Sequence, residues 1–190
     1  MMRRLTAVLV LVLLLIVPAC SAVRSAEGPA TATVPTPTVG GEQAATINRI
    51  LAGLDGVMGD LERALVRDRR ITAEVTDRLR AIYTGPELLS QVDAFRADLA
   101  NGLVGYKDPP GNRVTTVSRL ITVSQICIFA EVTRDYGPTT AGPPPRPASL
   151  YVVLVTKDET DDPKHLNPTP WAMLYDGVQN DGSQPDDACR

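Results

Sequence analysis

Histidine is nearly missing from this chain: His165 is the one among 190 residues. Catalysis of the Ser-His or Cys-His kind needs a base beside its nucleophile. His165 stands in KDETDDPKHLNPTP, a proline-bounded polar stretch where a solvated loop side chain is the expected reading. Zinc sites built on several histidines or a thiolate cluster lack material here. No glycine-rich phosphate loop follows a strand-like run. The acidic stretch that holds Asp158, Glu159, Asp161, Asp162 and Asn167 lacks the ordered ligands and closing glutamate of a calcium loop, and reads as a solvated hairpin connection. Nothing in the sequence calls for a metal, a cofactor or a catalytic side chain.

An excess of positive charge is absent too. The chain carries 19 Lys and Arg against 22 Asp and Glu, and Arg3 and Arg4 lie in a segment without acidic residues. Without residues 1–19 the balance is 17 to 22, a net charge of −5, which argues against a nucleic-acid partner. Long apolar runs are likewise scarce. The uncharged run Leu5–Val17 has 13 residues, with Thr6 its one polar side chain. As a helix it would reach only about 20 Å, against a bilayer core of about 30 Å. With Arg3 and Arg4 ahead of it and small residues near Ala19, it reads as a secretory leader over 1–19.

The leader ends in Val17-Pro18-Ala19-Cys20. This VPAC motif resembles the lipobox of bacterial lipoproteins. The resemblance implies cleavage before Cys20, acylation of its thiol with palmitate-type chains, and a lipid anchor holding the mature chain on the extracytoplasmic side of the cell membrane. Val17-Pro18-Ala19 also suits the ordinary signal peptidase, so plain secretion stays open. With Cys20 given to a lipid, Cys127 and Cys189 remain, and in an exported chain the two read as a disulfide. Its loop of about 62 residues would contribute up to about 4 kcal/mol. A buried free Cys127 with a free Cys189 in a loose tail is the alternative.

Residues 20–43 are rich in Ala, Thr, Pro and Gly without apolar periodicity, and read as an extended tether stiffened at Pro29, Pro35 and Pro37. From residue 44 the pattern changes. Ile47, Leu51, Leu54, Met58, Leu61 and Leu65 lay one stripe along a helix that runs to Asp68. Gly53, Gly56 and Gly59 weaken it by about 1 kcal/mol each unless a neighbour packs close, and a kink is expected there. A second helix spans Thr72 to Tyr83. A third opens at Pro86 and stops at Gly102, with Leu88, Leu89, Val92, Phe95 and Leu99 on its apolar side. The arginine-rich stretch 60–80 interleaves acids with its arginines and reads as a solvated helical surface.

After KDPPGN the chain switches to β-branched runs: RVTTVSRLITV from Arg113, QICIFAEVTRD from Gln125, SLYVVLVTK from Ser149 and PWAMLYDGV from Pro170. The third is apolar on both faces and suits a central strand; the first alternates more polar side chains and suits an edge. The fold class is α+β, three N-terminal helices on an antiparallel sheet of about four strands, over residues 44–180, with a tail 181–190 tied by Cys189.

That order, with YTGPELL opening the third helix, resembles the cone-shaped superfamily of nuclear transport factor two, which includes SnoaL-like cyclases. The resemblance implies a curved sheet wrapped on a helix, with a pocket at the open end where such enzymes move a proton with Asp or His. Phe129, Glu131, Tyr151, Trp171, Tyr175 and Asp176 fall in the strands and are the candidates for that pocket. Core packing for the aromatics and a surface position for the charges are the alternatives. Leader, lipobox, tether and cysteine pair point to a lipid-anchored, non-catalytic binding or assembly module of the bacterial envelope, whose partner is an envelope protein or an apolar small ligand. A cyclase- or isomerase-type enzyme, or an apolar-ligand carrier, is the alternative.

Overall fold

The computed structural model describes residues 41–143, 145–178 and 189. The leader 1–19, Cys20 and the tether up to residue 40 lie outside the described residues, as do 179–188 and 190 of the tail. Three helices, α1 (Gly41–Asp68), α2 (Ala73–Ile82) and α3 (Gly85–Ala100), precede four strands, β1 (Val114–Val123), β2 (Cys127–Asp135), β3 (Ala148–Thr156) and β4 (Trp171–Gly177). The fold is α+β. No helix among the described residues is long and apolar enough to cross a membrane.

The apolar stripe of α1 is its buried face. Ile47, Leu51, Leu54, Met58, Leu61 and Leu65 are each 2% exposed or less. The helix begins at Gly41, so residues 41–43 belong to it and not to the tether, and it passes its three glycines as one uninterrupted element. Two of those glycines admit neighbours. A methyl group on Gly53 would lie 2.8 Å from Thr169 Cγ2, and one on Gly59 would run into the Asn112 side chain. Around Gly56 there is open space.

Thr72 caps α2 from outside the helix, its hydroxyl accepting from the Val75 amide at 3.3 Å. Thr84 is the N-cap residue of α3, and Pro86 sits in its first turn, where a missing N–H costs nothing. The chain leaves α3 through Gly102 at φ 74°, a left-handed turn that glycine adopts without strain.

The sheet is antiparallel throughout, in the order β1-β2-β3-β4. The doubly apolar run is indeed internal, as β3, and the more polar run lies at the edge, as β1. Ile128, Ala130 and Val132 of β2, Leu150, Val152 and Leu154 of β3 and Met173 of β4 pack with the helices in one core. The opposite face gathers Phe129, Val153 and Cys127 with Tyr151, Leu174, Tyr175 and Cys189. Cys127 and Cys189 form a disulfide there, with Cα atoms 5.6 Å apart, across 62 residues of chain.

Bulges break the period of two. On β1 the register shifts between Val117 and Arg119 and again between Leu120 and Thr122. The Val117 amide donates to Asn48 Oδ1 of α1 at 2.8 Å. On β4, Tyr175 pairs with Val153 and Met173 with Leu154, so Leu174 is one residue too many. Such an insertion re-aims the side chains beyond it. Met173 and Asp176 therefore both join the helix side, while Leu174 and Tyr175 pack with the cluster on the other face, Leu174 also reaching Gly85 at the start of α3.

Candidate functional site

Between α1, α3 and the helix-facing side of the sheet lies a group of buried charges. Asp55 of α1 is 3% exposed and accepts from Arg113 Nε at 3.0 Å, from the Thr115 amide at 2.7 Å and from Thr115 Oγ1 at 3.0 Å. Arg134 of β2 is 1% exposed; it donates from Nε to Thr115 Oγ1 at 2.9 Å and from Nη1 to Asp176 Oδ1 at 2.7 Å. Tyr83 closes the circuit, its hydroxyl accepting from Arg113 Nη2 at 3.3 Å and donating to Asp176 Oδ2 at 3.2 Å. Burial raises the Tyr83 phenol above its usual range, so it stays a neutral donor. Two arginines and two aspartates thus balance one another.

Replacing buried ion pairs with apolar side chains often leaves stability unchanged or improved, so such a network is no simple gain for the fold. Two buried atoms, one in the network and one beside it, are not satisfied. Arg134 Nη2 and Glu62 Oε2 are buried without a hydrogen-bond partner among the described residues. An unmade bond of this kind costs about 1–3 kcal/mol, more for a charged group. Glu62, 7% exposed on α1, has its carboxyl pushed up to about 7, above all by burial, with Asp55 adding and Arg113, Arg63 and Arg134 opposing.

Both unsatisfied groups line one cavity of about 200 Å³, together with Arg113, Asp176, Gln91 and Asp98. Met58, Ala94, Phe95 and Leu150 supply its apolar wall. At its margin Tyr106 donates to Asp98 Oδ2 at 2.8 Å. A larger hollow of about 850 Å³ is an open groove at the start of α1, bounded by Ile47, Ile50, Val123, Ile128 and Trp171. Glu42 is the ionisable side chain among its described lining residues.

The six candidates from the strands are divided by the sheet. Asp176 lies in the polar cavity and Trp171 in the groove. Phe129, Tyr151 and Tyr175 belong to the cluster on the opposite face, where the Phe129 and Tyr151 rings stand 6.0 Å apart. Glu131, also on that face, accepts from Arg119 Nε and Ser149 Oγ at 3.1 Å each. One shared cavity is therefore not what the strand aromatics form: adjacent strand residues point to opposite faces, and the Leu174 bulge sends Tyr175 outward and Asp176 inward.

The loop residues serve the fold. Asp162 accepts from Lys157 Nζ at 2.7 Å and from the amides of Leu166 and Asn167. Burial raises its carboxyl, but those bonds outweigh it and hold the group below the usual carboxylate range. Asn167 Nδ2 ties this loop to the Ala81 and Trp171 carbonyls. Among the described residues no three His, Cys, Asp or Glu side chains are grouped to hold a metal.

Asp55, Glu62, Arg113 and Arg134 escaped the reading of the sequence, and Glu62 corrects the assignment of 60–80 as a solvated surface. A signal was present. Leu51, Asp55, Met58, Glu62 and Leu65 follow the same 4-3-4-3 spacing as the apolar stripe. Arg134 continues the alternation of Ile128, Ala130 and Val132. A charge inside an apolar period is a buried charge. Comparison with protein-family models, with curated proteins and with solved structures finds no match to this chain.

Proposed function

We propose that this chain is a lipid-anchored, non-catalytic binding module on the extracytoplasmic side of a bacterial cell membrane, and that it takes a small polar ligand in the cavity between α1, α3 and the sheet. The observation that carries the ligand reading is the pair of buried atoms without partners, Arg134 Nη2 and Glu62 Oε2, on the walls of one cavity. The VPAC motif supports the anchor, and the disulfide suits an oxidising compartment. The order of helices before a bulged antiparallel sheet supports a cone-type frame.

Mass spectrometry of the full chain, extracted from membranes in detergent, tests both parts. The expected polypeptide begins at residue 20 and carries fatty acyl chains; a bare Cys20 or a retained leader overturns the anchor. Under native conditions a small bound mass should accompany the chain and be lost in Ala94→Phe, which places a ring at the cavity rim. A chain that carries no small molecule, alone or after incubation with envelope extract, overturns the ligand reading.

A second reading has an observation of its own. A carboxyl near pH 7 in a polar cavity suits general acid–base chemistry, so a cyclase- or isomerase-type proton transfer through Glu62 is the competing function. Deuterium passing from D₂O into a C–H bond of the bound molecule, and not in Glu62→Gln, would establish it.

A further inference from the structure

We propose that the cavity binds a small monocarboxylate, with Arg134 donating from Nη2 to one carboxylate oxygen and Glu62 sharing one proton with the other. The inference rests on the reading of this cavity as a ligand site and names the ligand's class. Arg134 has spent Nε on Thr115 and Nη1 on Asp176, so Nη2 is a charged donor with no acceptor. Glu62 Oε2 is likewise buried with no hydrogen-bond partner among the described residues.

The charges that surround Glu62 come from every element of the site. Asp55 shares its helix, Arg113 leads into β1, Arg134 lies on β2, Asp176 on β4, and Asp98 of α3 is held by the Tyr106 hydroxyl. Arg113 and Arg134 are matched by Asp55 and Asp176, and Arg63, the remaining cation that acts on Glu62, is paired with Asp60 at 2.7 Å, so among the described residues no cation forms an ion pair with Glu62. Its burial accordingly favours the neutral acid. In that form Glu62 offers an O–H, so both unmet groups are donors and both require acceptor oxygens. Hydrogen bonds from a charged donor to an anionic oxygen are about twice as strong as neutral ones. An ammonium or another donor-rich ligand would leave Arg134 unmet.

Size and lining limit the rest of the molecule. At roughly 30 Å³ per water, a cavity of this volume holds roughly six waters, or a ligand of similar heavy-atom count. Met58, Ala94, Phe95 and Leu150 then face a short apolar tail. No covalent step is involved. The complex contains the ligand anion and one proton, shared between two carboxyl groups as in paired acid sites.

Isothermal titration of the full chain in detergent with acetate, propionate and butyrate, and with propionamide as a neutral control, tests the proposal from pH 5.5 to 8.5. At least one carboxylate should saturate the protein, and its affinity should fall about tenfold per pH unit above the Glu62 range near 7, because each binding event then takes a proton from solvent. Glu62→Gln keeps a donor and loses the proton, so binding should persist with a flat pH profile. Ala94→Phe should abolish binding while leaving the circular dichroism unchanged.

Equal binding of propionamide, a flat profile in the unaltered chain, or binding indifferent to both variants would overturn the proposal. If no carboxylate binds while another small molecule co-purifies in the cavity, the ligand class fails and the site stands. If nothing binds and the two groups are met by water alone, both readings fail.

Discussion

At the scale of single residues, Glu62 sets the pH behaviour of the fold. Folding moves its carboxyl from an ordinary 4.5 to about 7, so the folded state holds the proton more tightly than the unfolded one. The associated stability is fully present below pH 4.5, declines as pH rises, and is gone above about 7. Over that interval it amounts to about 3 kcal/mol. Glu62→Gln should therefore match the unaltered chain near pH 4.5 and exceed it by about 3 kcal/mol at pH 8, measured by chemical denaturation without added ligand. Equal stability at both values would mean that Glu62 finds a partner when ionised.

At the scale of elements, the glycines of α1 separate helix propensity from packing. Gly56 has open space where a methyl group would go, so Gly56→Ala should stabilise the chain by about 0.5–1 kcal/mol. Gly59 lies against Asn112, which Arg63 holds through a 2.9 Å bond, so Gly59→Ala should destabilise despite the same gain in propensity. Thermal unfolding of the two variants side by side checks the contrast. The helices were legible in the sequence because Ile47 through Leu65 repeat with the helical period, and the strands because QICIFAEV and SLYVVLV are β-branched runs between breakers. The site was legible only at Asp176. Sequence alternation carries no mark of the extra residue at Leu174, and without it Tyr175 and Asp176 cannot be assigned to faces. Glu62 falls within the stretch 60–80 that reads as solvated, and Asp55 carries no motif of its own, although the spacing of both belongs to the buried stripe.

At the scale of the whole molecule, the Cys127–Cys189 bond ties residue 189 to the sheet face opposite the helix-packed core. Closing a loop of 62 residues restrains the unfolded chain by up to about 4 kcal/mol, and engineered bonds commonly deliver less. Reduction, or Cys127→Ala with Cys189→Ala, should lower stability by about 2–4 kcal/mol, read as a lower denaturation midpoint. The helix-side cavity shares no lining residue with that cluster, so its ligand binding should survive reduction under conditions where the chain stays folded.

The 28 residues of α1 form a rod whose two ends do different work. Gly41 opens the helix beside the groove, whereas Glu62 lies 21 residues along it, a separation of about 30 Å. A sensor surface or a bulky fusion attached ahead of Gly41 would consequently leave the cavity mouth clear for small solutes, while the same attachment made at Lys107, next to Tyr106 on the cavity wall, would crowd it.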